Sequence, residues 1–145
     1  MAGFIFLDAN VFMYAAGADH AYKEPCKQIL ADVESGSLIA VSNTEVLQEV
    51  LYRYHRIQLP DKGLQLCQFI LELPLQILPV TVNDIRSAVA ILEQFRPISL
   101  KTRDAIHAAT MQNNQLTRII SADRDFDHLP FVERVDPLIY KPITL

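Results

Sequence analysis

Apolar positions along the chain fall into short unbroken runs separated by longer stretches of helical spacing. Phe4-Ile5-Phe6-Leu7 is continuous, the pattern of a central parallel strand covered on both faces, and Asp8-Ala9-Asn10 ends it. From Tyr22 to Ser35 the positions Pro25, Cys26, Ile29, Leu30 and Val33 recur at helical spacing, and Gly36 supplies a C-terminal stop. Leu38 to Val41 reads as a second strand. Ser42-Asn43-Thr44-Glu45 then has the form of a capping box, with Ser42 paired to Glu45, opening a helix through Val46, Leu47, Val50, Leu51 and Tyr54. Asp61 to Leu73 is another amphipathic helix. Gln76 to Val80 is a third strand, which Pro79 confines to an edge or an irregular place.

Thr81 caps a helix running to about Arg96, Pro97 breaks it, and Thr102 to Asn114 is the next helix. Arg118 to Ser121 is a fourth strand and Phe131 to Val135 a short fifth, while Pro137 and Pro142 argue against regular structure in the tail. Strand and helix alternate throughout. The pattern predicts one domain over residues 1–145, an α/β fold built as a three-layer α/β/α sandwich around a mostly parallel sheet. Right-handed crossovers would bring the strand ends to one rim.

With 145 residues, half of them apolar, the chain is long enough to bury a real core and too short for two. Its apolar runs are broken well before the roughly 18 residues that a membrane span needs. No basic segment precedes the first run, so a cytoplasmic protein without a membrane association is expected. Cys26 and Cys67 sit on predicted helices without metal or redox spacing and read as buried thiols of a reducing compartment. The net charge of −4, from 13 basic and 17 acidic residues, argues against a protein that grips nucleic acid through a broad positive field. Local grip by Arg53, Arg56, Arg96, Lys101, Arg103 or Arg124 stays open.

The candidate chemistry lies in four acids. Asp8 follows the first strand, Glu49 lies on the helix after the second, Asp104 opens the 102–114 helix, and Asp123 follows the fourth strand. If the runs are parallel strands, these carboxylates meet outside one sheet edge, where open α/β sheets carry their functional crevice. Clustered carboxylates resist ionising together unless a proton or a cation intervenes. Oxygen ligands without a required Cys or His select a hard ion, Mg²⁺ or Mn²⁺.

Each acid also has a plain structural reading. Asp8 could shape an Asx turn with Asn10, although a carboxylate ending a doubly covered strand, with little helix expected nearby, has desolvation against it. Glu45 points away from the apolar arc of its helix and reads as the capping partner of Ser42; Glu49, on the flank, can lean into a crevice or stay on the surface. A first-turn Asp104 is favoured by the helix dipole alone. His107 shares its face and reads as a packing or hydrogen-bonding residue. In Ser121-Ala122-Asp123-Arg124-Asp125-Phe126-Asp127, Asp123 is closest to the strand end, with Asp125 and Asp127 as supporting acids or ties to Arg124.

In order, Phe6-Leu7-Asp8-Ala9-Asn10, Leu47-Gln48-Glu49-Val50, Asp104-Ala105-Ile106-His107-Ala108-Ala109 and Ser121 to Asp127 resemble the four acidic motifs of PIN-domain ribonucleases, and within them VapC-type toxins of prokaryotic toxin–antitoxin pairs. The likeness covers nearly the whole chain. It implies a metal-dependent endoribonuclease with Asp8, Glu49, Asp104 and Asp123 as ligands of one or two Mg²⁺ or Mn²⁺ ions. Asp125 and Asp127 compete with Asp123 for the fourth place, and Asn10 and Ser121 match polar residues that accompany the first and fourth acids. The resemblance further implies a homodimer and a small antitoxin partner. A recessed acidic site suits a single-stranded loop of structured RNA as substrate.

Other folds with a strand-end aspartate fit less well. A haloacid-dehalogenase-type phosphatase needs a second acid where Asn10 stands, and a receiver domain needs a Lys where Ala122-Asp123 stand. The alternative that keeps the same fold is a non-catalytic PIN-like domain that binds RNA or protein.

Overall fold

The computed structural model describes residues 3–141; Met1, Ala2 and residues 142–145, with the second proline of the tail, lie outside the described residues. Five strands form one wholly parallel sheet in the order β3-β2-β1-β4-β5. They are β1 (Ile5–Leu7), β2 (Ala40–Asn43), β3 (Gln76–Leu78), β4 (Arg118–Ile120) and β5 (Glu133–Val135). Six helices connect them: α1 (Ala9–Ala16), α2 (Lys23–Ser35), α3 (Thr44–Arg56), α4 (Pro60–Glu72), α5 (Val82–Gln94) and α6 (Thr102–Asn113). Because β1 to β3 advance in one direction and β4 returns past them, right-handed crossovers place α1–α4 on one face and α5–α6 on the other. This is the expected α/β/α sandwich.

The central strand is the most protected. Phe6 and Leu7 are fully buried and join Val41, Ile119 and Ile120 of the flanking strands in a core that Phe12, Ile29, Ile70, Met111 and Phe126 complete from the helices. Pro79 follows β3, which is an edge strand, as its missing N–H demands. Gly36 ends α2 with φ of 82°, a left-handed cap that a Cβ would strain.

Three local expectations are corrected. Helix α1 starts directly after Asp8, where hydrophobic spacing gave no helix. The segment Ala9–Ala16 is apolar on nearly all sides, so it shows no amphipathic period to detect. Strand β2 runs to Asn43, two residues beyond Val41, and this moves the helix start with it. Ser42 is therefore a buried strand residue whose hydroxyl donates to Leu7 O at 2.8 Å, and Asn43 is the cap, accepting from Val46 N–H at 3.0 Å. The Ser42–Glu45 capping box does not form. Thr81 and Asp84, by contrast, cap α5 reciprocally.

Helices α3 and α4 meet at Gly63, where an added Cβ would lie 2.8 Å from Tyr54 Cβ. Gly63→Ala is expected to destabilise the fold by about 1–2 kcal/mol, since forced separation of packed helices outweighs the roughly 1 kcal/mol gained in helix propensity. Urea unfolding measures this; an unchanged or higher midpoint would contradict the close approach.

Candidate active site

The site begins with a strand that ends on a carboxylate. Asp8 leaves β1 in extended conformation and caps α1, its Oδ1 accepting from Ala9 N–H at 2.7 Å. A helix thus does satisfy part of this side chain, which corrects the expectation of little helix nearby. The other oxygen, Oδ2, accepts from the Ser121 hydroxyl at 2.7 Å and from Asn10 Nδ2 at 3.2 Å. Ser121 follows β4, and its Oγ also accepts from Asp123 N–H at 3.0 Å and from Asn10 Nδ2 at 3.1 Å. Asn10 closes the ring by accepting from Ala122 N–H at 3.3 Å. Parallel pairing of β1 with β4 places these residues side by side, and the small polar groups fix Asp8 relative to Asp123.

Glu49 enters from the second turn of α3. Its carboxylate lies between Arg103, at 3.4 Å, and His107 Nε2, at 3.3 Å. His107 is fully buried on α6, tilted against Phe6, and its Nε2 is also 3.6 Å from Asp8 Oδ1. Its Nδ1 has no hydrogen-bond partner among the described residues. Burial works against charging this imidazole, but Glu49, Asp8 and Asp104 outweigh it and raise its pKa. Glu45, freed from the capping role, is half-buried one turn before Glu49. Burial raises its pKa, with opposing influences from His107 and Arg103 that place it at the edge of the same field.

Asp104 occupies the first turn of α6 and is buried, with Oδ2 unpartnered among the described residues. Burial, then the nearby Asp8 and Asp123 carboxylates, push it up to about 8. Asp8 is raised as well, by burial first, with His107 countering and Glu49 adding to the rise. Asp123 behaves differently. Burial would raise it, but the Asp125 N–H, a hydrogen bond from Asp104 and the Lys101 ammonium at 3.4 Å hold it below its ordinary value.

The three aspartates after β4 separate. Asp123 lines the cavity, and Asp104, Asp123 and Asp125 offer oxygens within 4.8 Å of one another. Asp127 turns away and pairs with Arg134 at 2.9 Å, so it is tied to Arg134 and not to Arg124. Asp8, Glu49 and His107 form a second group of the same closeness. The cavity, about 210 Å³, is walled by Asp8, Asn10, Glu49, Asp104 and Asp123 together with Met13, Tyr14, Arg53, Lys101, Arg103 and Ala122. A larger groove of about 490 Å³, lined by Phe12, Leu30, Leu66 and Phe69, is mostly apolar and gathers none of these acids. Met13 and Tyr14 escaped sequence reasoning because α1 itself did.

These donors fit a divalent cation. They are oxygen-rich, an orphaned carboxylate oxygen is buried among them, and Asp104, pushed up to about 8, keeps its proton through most of the neutral range, a proton that a cation would displace.

The PIN domain model matches residues 5–132. The chain belongs to the PIN domain family. It is 33% identical over 131 residues to Ribonuclease VapC13 of Mycobacterium tuberculosis, spanning 90% of this chain and 98% of that protein. The solved structure of VapC20 from the same organism, a Sarcin-Ricin loop cleaving toxin, superposes with a TM-score of 0.75 at 19% identity, over 88% of this chain and 96% of that one. A toxin–antitoxin complex from Klebsiella pneumoniae matches with a TM-score of 0.63 at 18% identity, over 92% of this chain and 97% of the other. At such identities the solved structures show a shared fold.

Proposed function

We propose that this chain is a VapC-type endoribonuclease that hydrolyses RNA phosphodiesters with Mg²⁺ or Mn²⁺ held by Asp8, Glu49, Asp104 and Asp123. The observation that carries this is the buried, proton-retaining Asp104, its Oδ2 unpartnered among the described residues, inside a cavity walled by three further acids. A divalent ion in that donor set supplies Lewis acidity toward the phosphodiester and a lowered pKa for attacking water. Asp125 extends the donor set on the β4 side.

The chain's own groups do the rest. Ser121 and Asn10 hold Asp8 in a single orientation. Arg53, Lys101 and Arg103 line the cavity and offer cations to phosphates on either side of the scissile bond. His107 donates from the buried side and aims Glu49 at Asp8. His107→Phe keeps the ring volume beside Phe6 but removes that donor, and is expected to weaken Mn²⁺ binding roughly tenfold with the fold intact. A Mn²⁺ titration followed by calorimetry checks it; unchanged affinity would reduce His107 to packing.

The similarity to VapC ribonucleases and to a toxin–antitoxin complex supports a small antitoxin partner. Pairing of two copies is supported by the exposed apolar side chains Leu51, Tyr52, Ile57, Leu59 and Leu64 on α3, α4 and the turn between them. No helix among the described residues is long and apolar enough to cross a membrane.

Incubation of purified, antitoxin-free protein with total cellular RNA in millimolar Mn²⁺ should yield discrete fragments, and EDTA should prevent them. Binding of RNA without fragments would favour a non-catalytic PIN-like domain.

A further inference from the structure

Tyr14, which forms one wall of the acidic cavity from the last turn of α1, does not stand alone. Its ring centroid is 4.7 Å from that of His20 and 5.1 Å from that of Tyr22, and His20 and Tyr22 stack with ring planes 15° apart. His20 is exposed; the two tyrosines are half-buried. The rings are held in place. Tyr22 N–H donates to His20 Nδ1 at 3.0 Å, and the Tyr22 hydroxyl donates to Asp136 Oδ2 at 3.0 Å. Arg134 joins that same Asp136 oxygen, at 3.2 Å, to Ser121 O, at 3.0 Å. The cluster is thereby anchored to the strand end that positions Asp8 and Asp123.

A fixed aromatic cluster that starts inside a phosphate-handling cavity and ends in solvent has the form of a base-stacking surface. Cationic Arg53 and Lys101 line the cavity beside Tyr14, where they can hold the adjoining backbone. We propose that Tyr14, His20 and Tyr22 form a platform that stacks an unpaired nucleobase next to the scissile phosphate. A duplex keeps its base faces inside the stack and offers these rings nothing to pair with. The platform rests on the ribonuclease reading for its ligand. Its rings and its carboxylates are different residues, so the two can fail separately.

The test uses full-length protein carrying Asp8→Asn, to block cleavage, and a single-stranded RNA oligonucleotide holding 2-aminopurine at successive positions. Stacking should quench fluorescence at one or two adjacent positions. A hairpin that pairs those bases should show no such quenching. Added Tyr14→Ala or His20→Ala should abolish the quenching and weaken binding roughly fivefold to a hundredfold, whereas Tyr14→Phe should retain both. Exposed His20 makes His20→Ala the variant that leaves folding aside, and circular dichroism verifies this. Quenching and affinity unchanged in both alanine variants would overturn the platform, as would equal binding of the paired hairpin. Wild-type protein separates the two readings. Cleavage with an unaltered KM in His20→Ala sinks the platform and leaves the ribonuclease, while ring-dependent quenching in a protein that never cuts sinks the ribonuclease and leaves the platform.

Discussion

Asp8→Asn should abolish RNA cleavage, by at least roughly a hundredfold, while the protein stays folded. The loss exceeds the tenfold to hundredfold typical of groups that merely support metal ligands, because Asp8 supplies a carboxylate at the centre of the site. The fold survives for a local reason. Asn serves as well as Asp at a helix N-cap, so the bond from Ala9 N–H to position 8 persists. Two effects then oppose each other. An amide relieves repulsion toward Glu49 and Asp104, but its NH₂ faces Asn10 Nδ2, which needs an acceptor. The net change in stability should be within about 1 kcal/mol. Cleavage assays beside urea unfolding separate the outcomes: an unfolded variant would make Asp8 structural, and an active one would remove it from the chemistry.

The second large effect concerns pH and metal together. The unfolded chain ionises Asp104 near its ordinary carboxylate value, whereas the folded chain keeps it protonated up to about 8. Between roughly pH 4 and pH 8 the unfolded state therefore holds fewer protons, and stability falls as pH rises. Asp8, raised by burial, has the same sign. His107 does too, since its raised pKa contributes stability that is lost as pH climbs through the folded-state value. Metal-free protein should lose melting temperature steadily across this window. Mn²⁺ at a hundred times its Kd should return about 2.7 kcal/mol and flatten the slope, because an ion takes over the role of the retained protons. A melting temperature indifferent to both pH and millimolar Mn²⁺ would argue against a cation site.

Much of this arrangement was legible because parallel strands are hydrophobic runs with abrupt ends. Phe4 to Leu7 had to be central, and an acid directly after it had to face the rim. The family resemblance placed Glu49, Asp104 and Asp123, and the structure brings all three to the Asp8 cavity. What escaped was set by tertiary context. Helix α1 is buried on Val11 and Phe12 yet carries apolar residues all round, so it showed no period, and Tyr14 was lost with it. Ser42 looked like a cap until pairing with β3 extended the strand through Asn43. His107 was read as a packing or hydrogen-bonding residue, and it is both; it packs on Phe6, and its hydrogen-bond partner, Glu49, lies 58 residues away in sequence, with Asp8 a further charged neighbour at 3.6 Å. Asp127 looked like a neighbour of Arg124, but a five-residue 3-10 turn, Arg124–His128, swings it toward Arg134.

On the proposed reading, these carboxylates hold the cation on which RNA hydrolysis depends. The most direct measurement titrates Mn²⁺ into purified wild-type protein while recording both ion binding and cleavage of one RNA. The two curves should superimpose, and both should vanish in Asp8→Asn. Cleavage that persists in EDTA, or ion binding undiminished in the variant, would contradict it.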